Sequence, residues 1–148
     1  MRNMVVSSQK DFIQTVENIF KGAPSLPANI KEVLVKIAPW LALVFGILGV
    51  IAGLGAVGIS PVAAIGGIRN SALVLVTGVL TIVSSIMMLL AFPKLRALKV
   101  RGWELLFWSE AVNLVASVLS LSVSSIIGAL IGAAIAFYLL FQIKSYYK

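Results

Sequence analysis

The chain carries five acidic residues, and only Glu104 and Glu110 stand within or beside a stretch apolar enough to lie in a membrane. Glu104 directly follows Trp103, at a boundary that water and headgroups reach. Counting outward from the turn sets it level with about residue 143, so an interfacial Glu104 to Lys144 ion pair is expected. Glu110 lies about 10 Å deeper at 1.5 Å of rise per helical residue. Lipid does not solvate a carboxyl at that depth, so the group must face protein or a water-filled cavity. The same counting sets Glu110 level with Phe137 and Tyr138. A hydrogen bond to the Tyr138 hydroxyl is one reading, and a proton, cation or substrate site is the other.

Asn113, Ser117, Ser120 and Ser124 continue from Glu110 in steps of three and four, which places all five on one stripe of a helix and its following turn. Such a stripe either lines a polar path or joins helices through hydrogen bonds, and the second use is commoner. Thr77, Thr81, Ser84 and Met88 form a weaker counterpart, and the two stripes face to face would make a polar seam. Gly49 with Gly53, and Gly128, Gly132 and Ala136, are small residues four apart, the spacing that lets backbones approach. Both sets are expected to pack the bundle internally, with a homodimer face as the alternative.

Catalysis has little to use here. Neither Cys nor His occurs in the 148 residues, which removes disulfides, the common zinc sites, haem ligation by His, and Ser-His or Cys-His nucleophile pairs. An intramembrane aspartyl protease needs two Asp and this chain has only Asp11. No glycine run is followed by the Lys-Ser/Thr of a phosphate-binding loop. The expectation is a non-enzymatic protein with no cofactor and no metal.

The elements that must hold these residues are long apolar runs. Hydrophobic residues make up 60% of the chain, charged residues 11%, and the mean hydropathy is +1.07, whereas soluble domains carry about a quarter charged residues. Spans are expected at 40–59, 72–92, 103–121 and 125–143, each long enough for a hydrocarbon core of about 30 Å. The segment between the first two holds Pro61 and the Gly66-Gly67 pair, with a shallow re-entrant turn as one option. Asn70 or Ser71 is expected to cap the second span and Pro93 to close it. A Ser-rich turn over 122–125 makes the last two spans an antiparallel hairpin.

Residues 1–38 are expected to form one or two amphipathic helices at the membrane surface, and 39–148 the spanning domain. Over 8–21, Phe12, Ile13, Val16, Ile19 and Phe20 share one helical face, with Ser8 and Asp11 as the cap and Gly22 and Pro24 as the stop. That face packs either on the protein or on lipid. Asn29 and Glu32 offer a second capping box before a short helix ending at Pro39. Lys10, Asp11, Glu17 and Lys21 interrupt any apolar core that a secretory signal would need.

Eleven of the twelve basic residues fall in the N-terminal segment, the loop between the second and third spans, and the C-terminal tail, with only Arg69 opposite. The positive-inside rule then places both termini in the cytoplasm, and the loop with Lys94, Arg96, Lys99 and Arg101 beside anionic headgroups. Trp40, Trp103, Tyr146 and Tyr147 fall at that inner boundary. Nucleic acid is not expected as a partner of the +7 chain, since no basic-plus-aromatic binding module is present.

The stretches RGWELLFWSE at 101–110 and YLLFQIKSYYK at 138–148 resemble small bacterial four-span membrane proteins of undefined function. The resemblance covers the last third of the chain. It implies a bacterial cytoplasmic membrane and no substrate or active site. The fold expected is all-α, a polytopic four-helix bundle of two antiparallel hairpins with N-terminal amphipathic helices. The function expected is structural or accessory, with a homo-oligomer or a membrane protein as partner; the alternative is a small transporter or channel using Glu110 and its stripe.

Overall fold

The computed structural model describes residues 2–63, 65, 68–120 and 123–148. Five α-helices follow one another: α1 Arg2–Phe20, α2 Ala28–Ala63, α3 Ile68–Arg96, α4 Val100–Leu119 and α5 Val123–Ile143, with a 3-10 turn at Lys144–Tyr146. No strand occurs among the described residues. Three stretches are long and apolar enough to cross a membrane, namely Ala28–Ile59, Ser71–Arg96 and Val123–Tyr146, where the sequence pattern predicts four. The one that falls short is α4, because Arg101, Glu104, Glu110 and Asn113 share its 20 residues.

Prolines that read as breakers do not break these helices. α2 runs for 36 residues through Pro39 and Pro61, so the separate surface helix expected before Pro39 is fused to the first span and the 38/39 division falls inside one rod. α3 likewise passes through Pro93 to Arg96. Proline removes one helical hydrogen bond, and a long helix packed against a neighbour keeps its course despite that loss. Helix starts also move outward. α1 begins at Arg2, which puts Ser8 inside the helix and not at its cap, and Thr15 Oγ1 donates to the Asp11 carbonyl (2.8 Å). α2 starts at Ala28, where the Pro27 carbonyl accepts from the Ile30 and Lys31 amides, so the Asn29 box is not the start. α3 starts at Ile68, which puts Asn70 and Ser71 within it. Gly66, Gly67, Leu121 and Ser122, and with them the proposed re-entrant turn, lie outside the described residues.

The corner between α3 and α4 closes tightly. Lys99 N donates to Lys94 O (2.9 Å) and Leu98 N to Leu95 O (3.0 Å), with Leu98 in the left-handed region at φ 51°. This is the Schellman ending of a helix, here with Leu where Gly is usual. The C-terminus is tied to the same corner, since Val100 N donates to Lys148 O (3.0 Å) and Lys148 N to Leu98 O (2.9 Å). The end of α3 and the C-terminal tail that follows α5 therefore meet, and α4 runs antiparallel to α3 and α5.

Packing proceeds in chain order, α2 on α3, α3 on α4 and α4 on α5, while α2 and α5 barely touch. The best-buried part lies at the end holding the α3–α4 corner and the C-terminus, around Leu95, Trp103, Phe107 and Ile143. Trp103 is 1% exposed, and its Nε1 donates to Leu140 O (2.7 Å). Phe107 is ringed by Phe137, Phe141 and Trp108 at centroid distances of 5.1–5.9 Å.

α1 lies against this same end. Ile13 is buried, Val16 and Phe20 are half-buried, and Phe12 stacks on Trp108 (5.6 Å), whereas Ile19 is 74% exposed. Most of the amphipathic face thus packs on protein.

Candidate functional site

Glu110 is half-buried on α4 and lines a cleft of about 620 Å³ whose walls come from α2, α3, α4 and α5. The cleft exists because the ring of helices is not closed. α2 is held to α3 by glycines: a Cβ at Gly46 would sit 2.8 Å from Leu89 Cδ2, one at Gly53 2.9 Å from the Gly78 carbonyl, and one at Gly49 would run into Ser85 Oγ. The matching small residues of α5 are not used in this way. A Cβ at Gly128 or Gly132 meets nothing within 4 Å, so the expectation that this ridge packs the bundle fails for α5. Gly132 and Ala136 instead form one wall of the cleft. Leu41, Phe45 and Leu48 of α2 form the other and are about half exposed, so the mouth opens sideways between α2 and α5.

The polar groups beside Glu110 are already engaged. Thr81 Oγ1 donates to Thr77 O (2.8 Å), and Ser85 Oγ to Thr81 O (2.6 Å). Ser84 Oγ donates to Asn113 Oδ1 (2.6 Å), which joins the two polar stripes as a seam at that level. Ser117 Oγ turns back to Asn113 O (2.9 Å) and Ser120 Oγ to Ser117 O (2.6 Å), so these two serines serve their own helix. Glu110 itself has no hydrogen-bond or ion-pair partner among the described residues.

Two pairings expected from the sequence are replaced. Tyr138 Oη donates to the Pro24 carbonyl (2.7 Å) and not to Glu110. The register explains it: Trp103 meets Leu140 and Phe107 meets Phe137, which sets Glu110 level with the helical turn above Tyr138. Lys144 Nζ pairs with Glu17 Oε2 (2.5 Å) and sits 5.4 Å above the Trp103 ring, so α1 takes the place assigned to Glu104. Glu104 lines a hollow between α1 and α4 with Lys10, Lys94 and Arg101. Arg96 lies over Trp40 (5.9 Å) and Phe92 (5.8 Å). Lys99 occupies the N-cap position of α4 without a side-chain cap bond.

One connection was not legible in advance. Gln142 Oε1 accepts from Leu26 N (3.1 Å) and its Nε2 donates to Pro24 O (3.2 Å), which ties the α1–α2 linker to α5 at the foot of the cleft. A lone amide in the last turn of an apolar helix was the available signal.

Chemically, the cleft offers one carboxyl, the Asn113 amide and two hydroxyls among apolar side chains. Among the described residues no group of three or more acidic side chains could hold a metal ion. No protein-family model matches the chain, and neither a curated protein nor a solved structure shows significant similarity to it.

Proposed function

We propose that this is a non-enzymatic, four-span protein of the plasma membrane that acts as a small carrier, with Glu110 as its working group. α4 counts as the fourth span on topological grounds. It joins the end of α3, which lies beside the C-terminus, to the start of α5, and so it covers the same distance as α5. Its charged and amide groups are tolerable because they face helices, the cleft or the boundary. α1, the 94–101 corner and the C-terminal tail gather at one end with most of the basic residues, which supports a cytoplasmic placement of that end.

The observation that carries the reading is the Glu110 carboxyl, without a hydrogen-bond or ion-pair partner among the described residues, in a cleft that opens between α2 and α5. A structural glutamate at membrane depth is expected to be paired. The test is proton and potassium flux in liposomes, comparing native chain with Glu110→Gln at matched insertion. Native flux that the variant loses is the expected result. Absence of flux from both sinks the carrier reading.

The second reading is an accessory, self-associating subunit, favoured by the open Gly128 and Gly132 ridge, which is suited to a neighbouring helix. Disulfide trapping between chains carrying Gly132→Cys in a native membrane would support it.

A further inference from the structure

Resting on the reading of Glu110 as the working group, we propose that the cleft binds a lipophilic monovalent cation, drawn sideways from the bilayer between α2 and α5. Size comes first. A cleft of about 620 Å³ falls in the range of about 300–1,000 Å³ that suits a drug-sized molecule. Composition narrows the class. Among the described residues Glu110 is the only charged one lining the cleft, and no basic side chain among them is there to receive an anion.

A dehydrated metal ion needs several oxygen ligands, about six to eight for calcium, and the cleft presents one carboxylate, two hydroxyls and the Asn113 amide, whose oxygen already accepts from Ser84. A sugar or other polyol needs many free donors and acceptors, whereas the Thr81 and Ser85 hydroxyl protons are committed to carbonyls of their own helix. What remains is an apolar body with one positive charge.

The walls favour a diffuse cation over a compact one. The cost of taking an ion out of water falls as its charge spreads over a larger radius, so a bulky organic cation enters where a hydrated ammonium does not. Phe45 is the only aromatic residue lining the cleft, and its ring stands at the mouth, where a cation can rest on its face. The route is lateral because Phe45 and Leu48, which line the cleft from α2, are more than half exposed on a helix apolar enough to span a membrane. The cation then exchanges its place in the bilayer for a contact with the Glu110 carboxylate.

The experiment measures equilibrium binding of tetraphenylphosphonium and of tetraphenylborate, ions of the same shape and opposite charge, to the full chain in lipid nanodiscs. Native protein is expected to bind the phosphonium and not the borate. Glu110→Gln should weaken phosphonium binding about tenfold to hundredfold, as for loss of a charge-assisted contact. Glu110→Asp should retain part of it. Ala136→Phe, which fills the opposite wall and leaves Glu110 in place, should weaken it as well, and so separates blockage of the site from any failure of the Glu110 variants to fold.

Equal binding of both ions, or phosphonium binding unchanged in Glu110→Gln, overturns the proposal in favour of simple apolar adsorption. Glu110-dependent proton flux without phosphonium binding overturns the ligand class and leaves the carrier reading standing. Phosphonium binding without flux supports the site and removes transport. Gly132→Cys disulfide trapping between chains, with no phosphonium binding, assigns the cleft to a second copy and overturns the proposal.

Discussion

The α2–α3 seam and the α2–α5 gap begin from the same sequence device and end differently. Small residues four apart occur on α2 at Gly49 and Gly53 and on α5 at Gly128, Gly132 and Ala136. On α2 they let the backbone of α3 come so close that a single added methyl would meet Ser85 or Gly78. On α5 the two glycines face open space. Small-residue spacing permits close approach without compelling it. The partner's shape decides, and α3 supplies Gly78 and Ser85 where α2 needs them, whereas nothing in the described chain reaches the α5 ridge.

The strongest way to break this contrast is Gly53→Leu, which drives a side chain into the Gly78 carbonyl and Ile82. Its cost should be about 3 kcal/mol in reversible unfolding in mixed detergent micelles, the upper end for overpacking. Gly132→Leu should change the same measurement by less than about 0.5 kcal/mol, as for a site with no neighbours. Equal losses from the two would mean that the α5 ridge is packed after all.

Gln142→Leu removes two of the three bonds that hold the linker to α5 and leaves Tyr138 Oη on the Pro24 carbonyl. A loss of about 1–2 kcal/mol is expected, together with faster labelling of a cysteine placed at Ala136, since the gap should widen. Unchanged labelling would mean that the tether does not set its width. Ser84→Ala tests the seam between α3 and α4 by deleting the bond to Asn113. Side-chain bonds between membrane helices average about 0.6 kcal/mol, and a loss near that size is expected.

Smaller effects come from the end that holds the C-terminal tail. Glu17→Gln breaks the pair with Lys144, both partners being about one-third exposed (33% and 34%). Solvent screening should hold its cost below about 1 kcal/mol, and the difference from native should shrink further in high salt.

Tyr147 is buried with an unpartnered hydroxyl, and burial pushes its phenol up from about 10 to about 12. The folded state favours the protonated form, so this contribution is complete below about pH 10 and is lost as pH rises through about 12. Tyr147→Phe should abolish that alkaline loss without weakening the fold at pH 7. Thermal unfolding of both chains at pH 7 and pH 11 reads it directly.

Hydropathy alone determined that the chain is helical and made of apolar rods, because no other backbone arrangement with such runs satisfies its own hydrogen bonds in lipid. It also singled out Glu110, since a charge in an apolar run needs no structure to be noticed. Local breaker rules misplaced the helix ends at Pro39, Pro61 and Pro93, where the length of the rod and its packing outweigh one lost hydrogen bond. Only tertiary structure decided which glycine ridge is used, that Lys144 pairs with Glu17, and that Tyr138 turns to Pro24. Each of those depends on the register and angle of a neighbouring helix. Register in turn is set by bulky contacts such as Trp103 against Leu140 and Phe107 against Phe137, whose fit no single-chain periodicity records.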